Sequence, residues 1–388
     1  MIRSLATALG LLWCSSLPAL ADPIDYDRLD ARLTQLMRED DMVGLAVAVV
    51  EDGEIAFAQG YGVTHLGGRN VNENTIFRWA SLSKGVAGSL AGLAAANGDL
   101  SLNDTVNEFG TSLRLPKGGE ATATLLDLLS HRLGIVSNAY DTRLEDGRDP
   151  RDIRRALGKL KPICAVGGCH TYQNVAFDAI SEVLLDATGE FYVDLADDLL
   201  FEPLGMTSAS LTRDGLVNAS NHARPHSRTR RAGGVNENYY RVPAAGGVNS
   251  SILDLAKYMQ AQMGLFPDVL PQAVLDEIHA PRVRTLREER SIKRRWGRVA
   301  KAEYALGWRV YDYVGNRVIG HRGAVNGYRA MIMFDPERDT GLAVLWNSGT
   351  RRPVGLQFEV MDMLYGLPAQ DWLGVGELTA ANPPAGAG

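Results

Sequence analysis

Ser81 and Lys84 form the first group of residues that could do chemistry. They are three positions apart, and on a helix this spacing places two side chains beside each other on one face. A helix N-terminus carries partial positive charge, which would stabilise an anionic nucleophile and an acyl oxyanion. A structural alternative is that Ser81 caps the helix, because serine is common at that position. The pair alone therefore leaves nucleophilic catalysis and capping both open.

Two later segments carry further polar side chains in a suggestive pattern. Tyr172-Gln173-Asn174 precedes an apolar stretch that predicts a helix over residues 175–185. Its structural alternative is a packed tyrosine ring followed by an asparagine that caps the helix. Gly320-His321-Arg322-Gly323 ends a predicted strand, and its glycines could serve only a hairpin turn.

In this order, the three segments resemble the serine β-lactamases of class C, the D,D-peptidases and the β-lactamase-fold esterases, which share the penicillin-recognising fold. The resemblance covers about residues 25 to 365. Asp127 to Gly134 resembles the family's Leu-Leu-x-His-Thr-Ser-Gly segment, with Arg-Leu in place of Thr-Ser, and its His131 is predicted to be structural. Three more segments resemble the family: Phe201-Glu202-Pro203-Leu204-Gly205-Met206, residues 243–251 and Leu306-Gly307-Trp308.

The resemblance implies a serine hydrolase that forms an acyl-enzyme on Ser81. Tyr172, beside the ammonium of Lys84, would take the serine proton and later activate the deacylating water. Asn174 would hold the substrate amide and the Lys84 ammonium. His321 would lie on the strand opposite the nucleophile. The resemblance implies no metal and no other cofactor.

The resemblance also implies an oxyanion hole and a place for the substrate. The backbone N–H groups of Ser81 and Ala324 would bind the oxyanion, and Gly323 would leave room for a substrate along the strand. The substrate could be a β-lactam, a D-alanyl peptide or a small ester. The alternative function is a penicillin-binding sensor or envelope protein that is acylated without efficient turnover.

His321 stands where many class C β-lactamases have the lysine of Lys-Thr-Gly. An imidazole with an ordinary pKa of about 6.5 is mostly neutral at about pH 7.5 and binds a substrate carboxylate less strongly than a lysine does. Strand alternation is expected to point Arg322 to the opposite face, so that it does not replace the missing charge. The sequence therefore predicts better handling of neutral esters than of carboxylate-bearing β-lactams.

Hydrophobic periodicity predicts the elements that hold these groups. Small residues from Gly85 to Gly92 predict a closely packed, buried helix after Ser81. Leucine spacing predicts an N-terminal helix, and Asp52-Gly53 predicts a hairpin turn between two strands. The predicted strands are 43–50, 55–61, 305–313, 317–321, 328–334 and 341–346, and a final helix is predicted over 354–364.

These elements predict an α/β (α+β) fold of the β-lactamase/transpeptidase type, in which both termini build one antiparallel sheet flanked by helices. The prediction is a single catalytic domain over 22–379, with its sheet part at about 22–80 and 301–366. A mainly helical inserted part would span about 81–300, with a cleft between the two parts. Residues 380–388 are predicted to be a disordered tail.

The first 21 residues predict a secretory signal peptide, because Arg3 precedes a short apolar run and Ala19-Leu20-Ala21 fits a cleavage site. A retained membrane anchor is the alternative, but the run is shorter than the roughly 20 residues that span a bilayer. The mature protein is thus expected to be periplasmic or secreted, without a stable membrane span. Removing residues 1–21 takes away Arg3 and no acid, so the formal net charge changes from −6 to −7, which does not suggest a nucleic-acid partner. A small-molecule or peptidoglycan-like substrate is the expected partner, and the oligomeric state is left open.

Cys164 and Cys169 predict a small disulfide loop if the chain enters an oxidising compartment. A metal site or two free thiols are the alternatives. His222 and His226 could be taken for metal ligands, but Pro225 disfavours one regular helix between them, and a loop is predicted. Residues 282–301 hold nine Lys or Arg against two Glu. This basic stretch could attract an anion to the cleft or form a solvated surface.

Overall fold

Both ends of the chain build one antiparallel sheet in the computed structural model, which describes residues 24–295 and 297–376. The strands are Gly44–Glu51 (β1), Glu54–Gly62 (β2), Phe77–Arg78 (β3), Asn249–Ser250 (β4), Val283–Arg284 (β5), Val299–Tyr304 (β6), Arg309–Tyr313 (β7), Asn316–Val325 (β8), Tyr328–Asp335 (β9) and Thr340–Trp346 (β10). The order in the main sheet is β2-β1-β10-β9-β8-β7-β6-β5, and β1 pairs directly with β10. A separate two-stranded sheet joins β3 and β4.

Helices cover both faces of the eight-stranded sheet. Residues of β1 alternate between two cores: Ala48 belongs to the large core on one face of the sheet, and Val47 belongs to the core on the other face, which also contains the helices Tyr26–Leu36 and Leu356–Leu364. The predicted sheet from both termini is therefore confirmed. The helices are Tyr26–Leu36 (α1), Ser83–Asn97 (α2), Leu125–Leu129 (α3), Asp141–Glu145 (α4), Pro150–Leu157 (α5), Ala179–Thr188 (α6), Tyr192–Ala196 (α7), Arg213–Val217 (α8), Pro243–Gly246 (α9), Ile252–Gln262 (α10), Gln272–Ile278 (α11), Leu286–Arg295 (α12) and Leu356–Leu364 (α13).

The small residues of α2 allow the turn before β7 to approach that helix closely. A Cβ atom added at Gly88 would lie 2.2 Å from the carbonyl oxygen of Leu306, and one added at Gly85 would lie 2.6 Å from the ring of Trp308. Gly307 itself has a φ of +79°. The predicted closely packed helix is thus confirmed, and its partner is the Leu306-Gly307-Trp308 segment.

Several predicted boundaries are wrong. The strand predicted over 305–313 begins at Arg309, because the preceding residues form a turn in which the Ala305 N–H donates to the Trp308 carbonyl (2.8 Å). The strand predicted to end at His321 continues to Val325. The helix predicted from residue 175 begins at Ala179.

Strands β3 to β6 were not predicted, and β4, β5 and the start of β6 interrupt a middle segment that was expected to be mostly helical. Three of the four have two residues each, too few to show a period of alternation, and β6 carries charged residues within the basic stretch. None of the helices in the described ranges is long and apolar enough to cross a membrane. The predicted signal peptide and the predicted disordered tail lie outside the described residues.

Candidate active site

Ser81 lies in a tight turn at the entrance to α2. The turn, Ala80–Leu82, is a single 3-10 turn, and Ala80 adopts a left-handed φ of +50° that a residue with a side chain rarely takes. The Ser83 hydroxyl donates to the Ala80 carbonyl (2.7 Å) and accepts from the Val248 N–H (3.0 Å). These two bonds hold the strained turn, so Ser81 is presented at the N-terminal end of α2, as predicted.

Lys84 lies directly behind Ser81, and its side chain is fully buried. Its Nζ donates to Asn174 Oδ1 (2.8 Å) and to the Ala245 carbonyl (2.9 Å), and it lies 3.5 Å from Ser81 Oγ. An ammonium has three N–H donors, so these three acceptors satisfy it completely. The arrangement gives the buried lysine one position, in contact with the hydroxyl of Ser81.

Asn174 joins Lys84 to a carboxylate that the sequence did not reveal. Its Oδ1 accepts from Lys84, and its Nδ2 donates to Asp141 Oδ2 (2.7 Å). Because one side of the amide must accept and the other must donate, the two contacts fix its orientation. Burial raises the pKa of the Asp141 carboxyl, against the lowering effect of Asn174 and Lys84. The side chain of Asn174 therefore does not cap the following helix.

Tyr172 presents its ring to both Lys84 and the strand that carries His321. Lys84 Nζ is 4.8 Å from the centre of the Tyr172 ring, and the ring centre of His321 is 6.3 Å away. In residues 24–295 and 297–376, no hydrogen bond joins the Tyr172 hydroxyl to Ser81 or Lys84. Hydrogen bonds used in catalysis are often long or absent before substrate binds. Tyr172 is thus next to the nucleophile, but its hydroxyl contact with Ser81 is not formed.

A chain of hydrogen bonds connects His321 to the loop beside Tyr172. The Gln173 N–H donates to His131 Nδ1 (3.2 Å), His131 Nε2 meets the Tyr304 hydroxyl (3.1 Å), and that hydroxyl meets His321 Nε2 (3.0 Å). The backbone N–H can only donate, so His131 Nδ1 accepts and its Nε2 carries the proton. The Tyr304 hydroxyl then donates its own proton to His321.

His131 and His321, the two histidines joined by these hydrogen bonds, are both neutral. Burial, with the nearby cations, lowers the pKa of His131 and of His321 well below the ordinary value. Since Nε2 of His321 accepts from Tyr304, its proton is on Nδ1. The neutral imidazole expected from the sequence is thus supported by the structure, and Tyr304, which sequence reasoning missed, sets its tautomer. The visible signal was a tyrosine two residues before Leu306-Gly307-Trp308.

Gly323 brings β8 against the turn that holds Ser81. A Cβ atom at position 323 would lie 2.0 Å from the Trp79 carbonyl oxygen and 3.0 Å from the Ser81 nitrogen. Only glycine permits this approach. Ser81, Tyr172, Asn174, His321, Gly323 and Ala324 all line one cavity of about 460 Å³. The structure therefore brings together all the predicted site residues, with Lys84 buried behind them.

The loop that leads to Tyr172 is closed by a disulfide between Cys164 and Cys169, which confirms the predicted bridge. Backbone bonds fasten this loop to the segment around His131. The Ile163 N–H donates to the Gly134 carbonyl, and the Gly167 N–H donates to the Arg132 carbonyl (2.8 Å each). The disulfide loop is thus fixed to the segment from Asp127 to Gly134, directly before Tyr172 in the chain. This is consistent with a structural role for that segment.

Five charged residues also line the cavity, and three of them, which sequence reasoning did not assign to it, lie next to one another. Arg309 and Glu288 line it together with Arg322. His321 pairs across the sheet with Ile332, and Arg322 pairs with Met331, so the two side chains start on opposite faces as alternation requires. The predicted orientation of Arg322 along the strand is therefore confirmed, but its long side chain still reaches the cavity, where its guanidinium pairs with Glu288.

The two histidines considered as metal ligands are loop residues with backbone partners. His222 Nδ1 contacts the Ala219 carbonyl (2.7 Å), and His226 Nδ1 contacts the Asn347 carbonyl (3.2 Å). Throughout the part of the chain that the structure describes, no group of three or more His, Cys, Asp or Glu is placed to hold a metal ion.

The β-lactamase family model matches residues 29–359. The chain belongs to the β-lactamase family. Among family relatives, an unguisins hydrolase of Aspergillus campestris is 26% identical over 85% of this chain and 62% of its own length. A β-lactamase of Yersinia enterocolitica is 24% identical over 84% of this chain and 87% of its own length.

The fold also matches that of solved structures. An octameric penicillin-binding protein homologue from Pyrococcus abyssi superposes with a TM-score of 0.78 at 23% identity, covering 89% of this chain and 78% of that one. At this identity the match establishes the fold alone. The chain spans between 50% and 66% of the length of three curated relatives that it matches.

Proposed function

We propose that this protein is a serine hydrolase that cleaves ester or amide bonds through an acyl-enzyme on Ser81. The observation that carries the proposal is the position of Lys84, whose buried Nζ is shared among Ser81 Oγ, Asn174 Oδ1 and the Ala245 carbonyl. A buried cation against a partly exposed serine at a helix N-terminus is suited to stabilising a serine oxyanion as it attacks. Membership of the β-lactamase family supports the same chemistry.

In the proposed reaction, Ser81 Oγ bonds to the substrate carbonyl carbon while its proton passes to the Tyr172 oxygen. The Tyr172 hydroxyl gives its own proton to the leaving oxygen or nitrogen as the ester or amide bond breaks. In the second half, water bonds to the acyl carbon and passes a proton to the Tyr172 oxygen, and the Tyr172 hydroxyl gives its own proton to Ser81 Oγ as the bond from Ser81 to the acyl carbon breaks. Lys84 keeps its proton throughout and stabilises the charge on Ser81.

The oxyanion of each tetrahedral intermediate is proposed to lie between the N–H groups of Ser81 and Ala324. The close approach required at Gly323 supports this, since it puts β8 next to the Ser81 nitrogen. Neutral His321 lies on the same strand and offers an uncharged wall to the substrate. This favours a small ester over a substrate that needs a lysine to hold its carboxylate.

The proposed location is an oxidising compartment outside the cytoplasm. The support is the disulfide between Cys164 and Cys169, a bond that cytoplasmic reductants seldom leave intact. A peptidoglycan-like or small-molecule substrate would be met there. Protein recovered from the periplasm should contain the linked pair, and two alkylatable thiols in that material would contradict the proposal.

The test of the function is a panel of three substrates offered to purified protein: a chromogenic cephalosporin, a nitrophenyl ester and a D-Ala-D-Ala peptide. We expect turnover of the ester, lost by at least about 10³-fold in Ser81→Ala. Ser291→Ala is the matched control, because Ser291 lines the same cavity and is exposed. Equal rates in Ser81→Ala and wild type would refute the proposal. Stable acylation without product release would show a sensor instead of a hydrolase.

A further inference from the structure

Glu288, one of the two glutamates in the basic stretch of residues 282–301, lines the active-site cavity, whereas those lysines and arginines of the stretch whose side chains the structure describes are absent from the cavity lining. Helix α12 lies within this stretch, and the residues it contributes to the cavity wall are Glu288, Ser291 and Ile292. Its basic side chains are instead on the solvent side. Exposed members of the stretch are Arg284, Arg287, Arg290, Lys293, Arg294 and Lys301. These bases therefore form a solvated surface, the second of the two alternatives considered for this stretch. The inward position of Glu288 has a separate cause.

Glu288 is held by two arginines that belong to the sheet. Its Oε1 pairs with Arg322, and its Oε2 lies 3.5 Å from Arg309 Nη1. The Tyr311 hydroxyl donates a long, third bond to Oε1 (3.4 Å). Burial favours the neutral acid, but the two arginines prevail and hold the pKa of Glu288 below its ordinary value. The group is thus a carboxylate at neutral pH.

Arg309 is the arginine that matters for the reaction, because it lies beside Tyr172. Its guanidinium carbon is 6.0 Å from the centre of the Tyr172 ring and 5.3 Å from the centre of the Tyr304 ring. Without Glu288, a substrate carboxylate next to Tyr172 would meet Arg309 and Arg322 unpaired. With Glu288 present, a carboxylate of the protein already occupies that position.

Two other arginines of the cavity do not fill this role. Arg329 Nε donates to the Gly349 carbonyl (3.2 Å), and Arg351 is exposed, where water and salt screen its charge. Neither forms an ion pair with Glu288 in the described ranges. On the cavity side of Tyr172, the net charge is therefore set by Glu288 and its two partners, Arg309 and Arg322.

We propose that Glu288 determines the charge selectivity of the site: by occupying Arg309 and Arg322 it excludes anionic substrates from the Tyr172 end of the cavity and favours uncharged esters. This inference rests on the proposed hydrolase function. It assigns a substrate class to that function. An uncharged group needs no counter-ion there, whereas a carboxylate must displace Glu288 or remain beside it as a like charge.

The experiment compares 4-nitrophenyl acetate with 3-carboxy-4-nitrophenyl acetate, which adds one carboxylate to the same chromogenic leaving group. The measured quantity is the ratio of kcat/KM for the anionic ester to kcat/KM for the neutral ester, so differences in intrinsic reactivity cancel between variants. In Glu288→Gln we expect this ratio to rise by at least about tenfold, the effect of one like charge at about 12 Å or less with an effective dielectric constant of about 20.

Glu289→Gln is the matched control on the same helix. Glu289 pairs with Arg284 and Lys293 and does not line the cavity, so its loss should leave the ratio at the wild-type value. In Glu288→Gln, the gain should shrink when sodium chloride is raised from about 50 mM to about 500 mM, because salt screens charge.

An unchanged ratio in Glu288→Gln, an equal rise in Glu289→Gln, or a gain that salt does not reduce would each overturn the inference. Failure of the wild type to hydrolyse either ester would instead count against the proposed function, so the two ideas fail separately.

Discussion

The hydroxyl of Tyr304 provides a sharp test of how His321 is held. Tyr304→Phe keeps the ring but removes the contacts to His131 Nε2 (3.1 Å) and His321 Nε2 (3.0 Å). Two buried ring nitrogens then lack partners, and each unsatisfied group costs about 1–3 kcal/mol. We expect the free energy of unfolding to fall by about 2 to 6 kcal/mol.

The same change should alter the pH dependence of catalysis. Donation from Tyr304 stabilises the neutral form of His321, so its loss should raise the pKa of His321 and move the acid limb of the kcat/KM profile to higher pH. The assay is nitrophenyl ester hydrolysis between pH 4 and 9, with stability measured by urea denaturation. Tyr258→Phe is the control, because that buried hydroxyl contacts Ser89 (3.3 Å) and should cost stability without moving the profile. A Tyr304→Phe protein with the wild-type profile and stability would refute the hydrogen-bond chain.

Three further predictions follow from the site and its surroundings. Gly323→Ala should lower kcat/KM by at least about 10²-fold, because the new Cβ would meet the Trp79 carbonyl and displace the turn that holds Ser81. Gly234→Ala is the control and should have no effect, because a Cβ there would lie in open space. Asp141→Ala should lower ester turnover about tenfold, because the amide of Asn174 loses the acceptor that orients it, and wild-type rates would contradict this role. Burial lowers the pKa of His279 to about 3, so the unfolded chain binds the extra proton, and His279 alone should contribute about 2 kcal/mol to the fall in unfolding free energy between pH 7 and pH 5. A His279→Gln variant that loses as much stability over that interval would contradict the assignment.

Local patterns predicted the parts of the site that lie close together in the chain. The spacing of Ser81 and Lys84 follows from helix geometry, and the structure places both at the start of α2. The disulfide was predictable because the two cysteines are five positions apart and no other cysteine lies in the predicted mature chain. The sheet from both termini followed from strand periodicity at each end.

The parts that were missed depend on contacts between distant segments. Asp141 reaches Asn174 from a short helix without a recognisable motif, and Tyr304 joins two histidines that are far apart in sequence. Glu288 lies among many bases, and the composition of residues 282–301 suggested a solvated surface. Only the packing of α12 shows that Glu288 faces the cavity. Arg322 shows the limit of strand alternation, since a long side chain can reach a cavity from the opposite face.

The covalent adduct is the most direct measurement of the central claim. The protein is treated with a fluorophosphonate, digested, and analysed by peptide mass spectrometry. In a second experiment, the wild type and Tyr172→Phe are each exposed briefly to the nitrophenyl ester and analysed in the same way. The account predicts the phosphonyl group on Ser81, and an acyl group on the same residue that persists longer in Tyr172→Phe, because deacylation needs the phenol oxygen. A stable adduct on another serine, with Ser81 unmodified, would contradict the account.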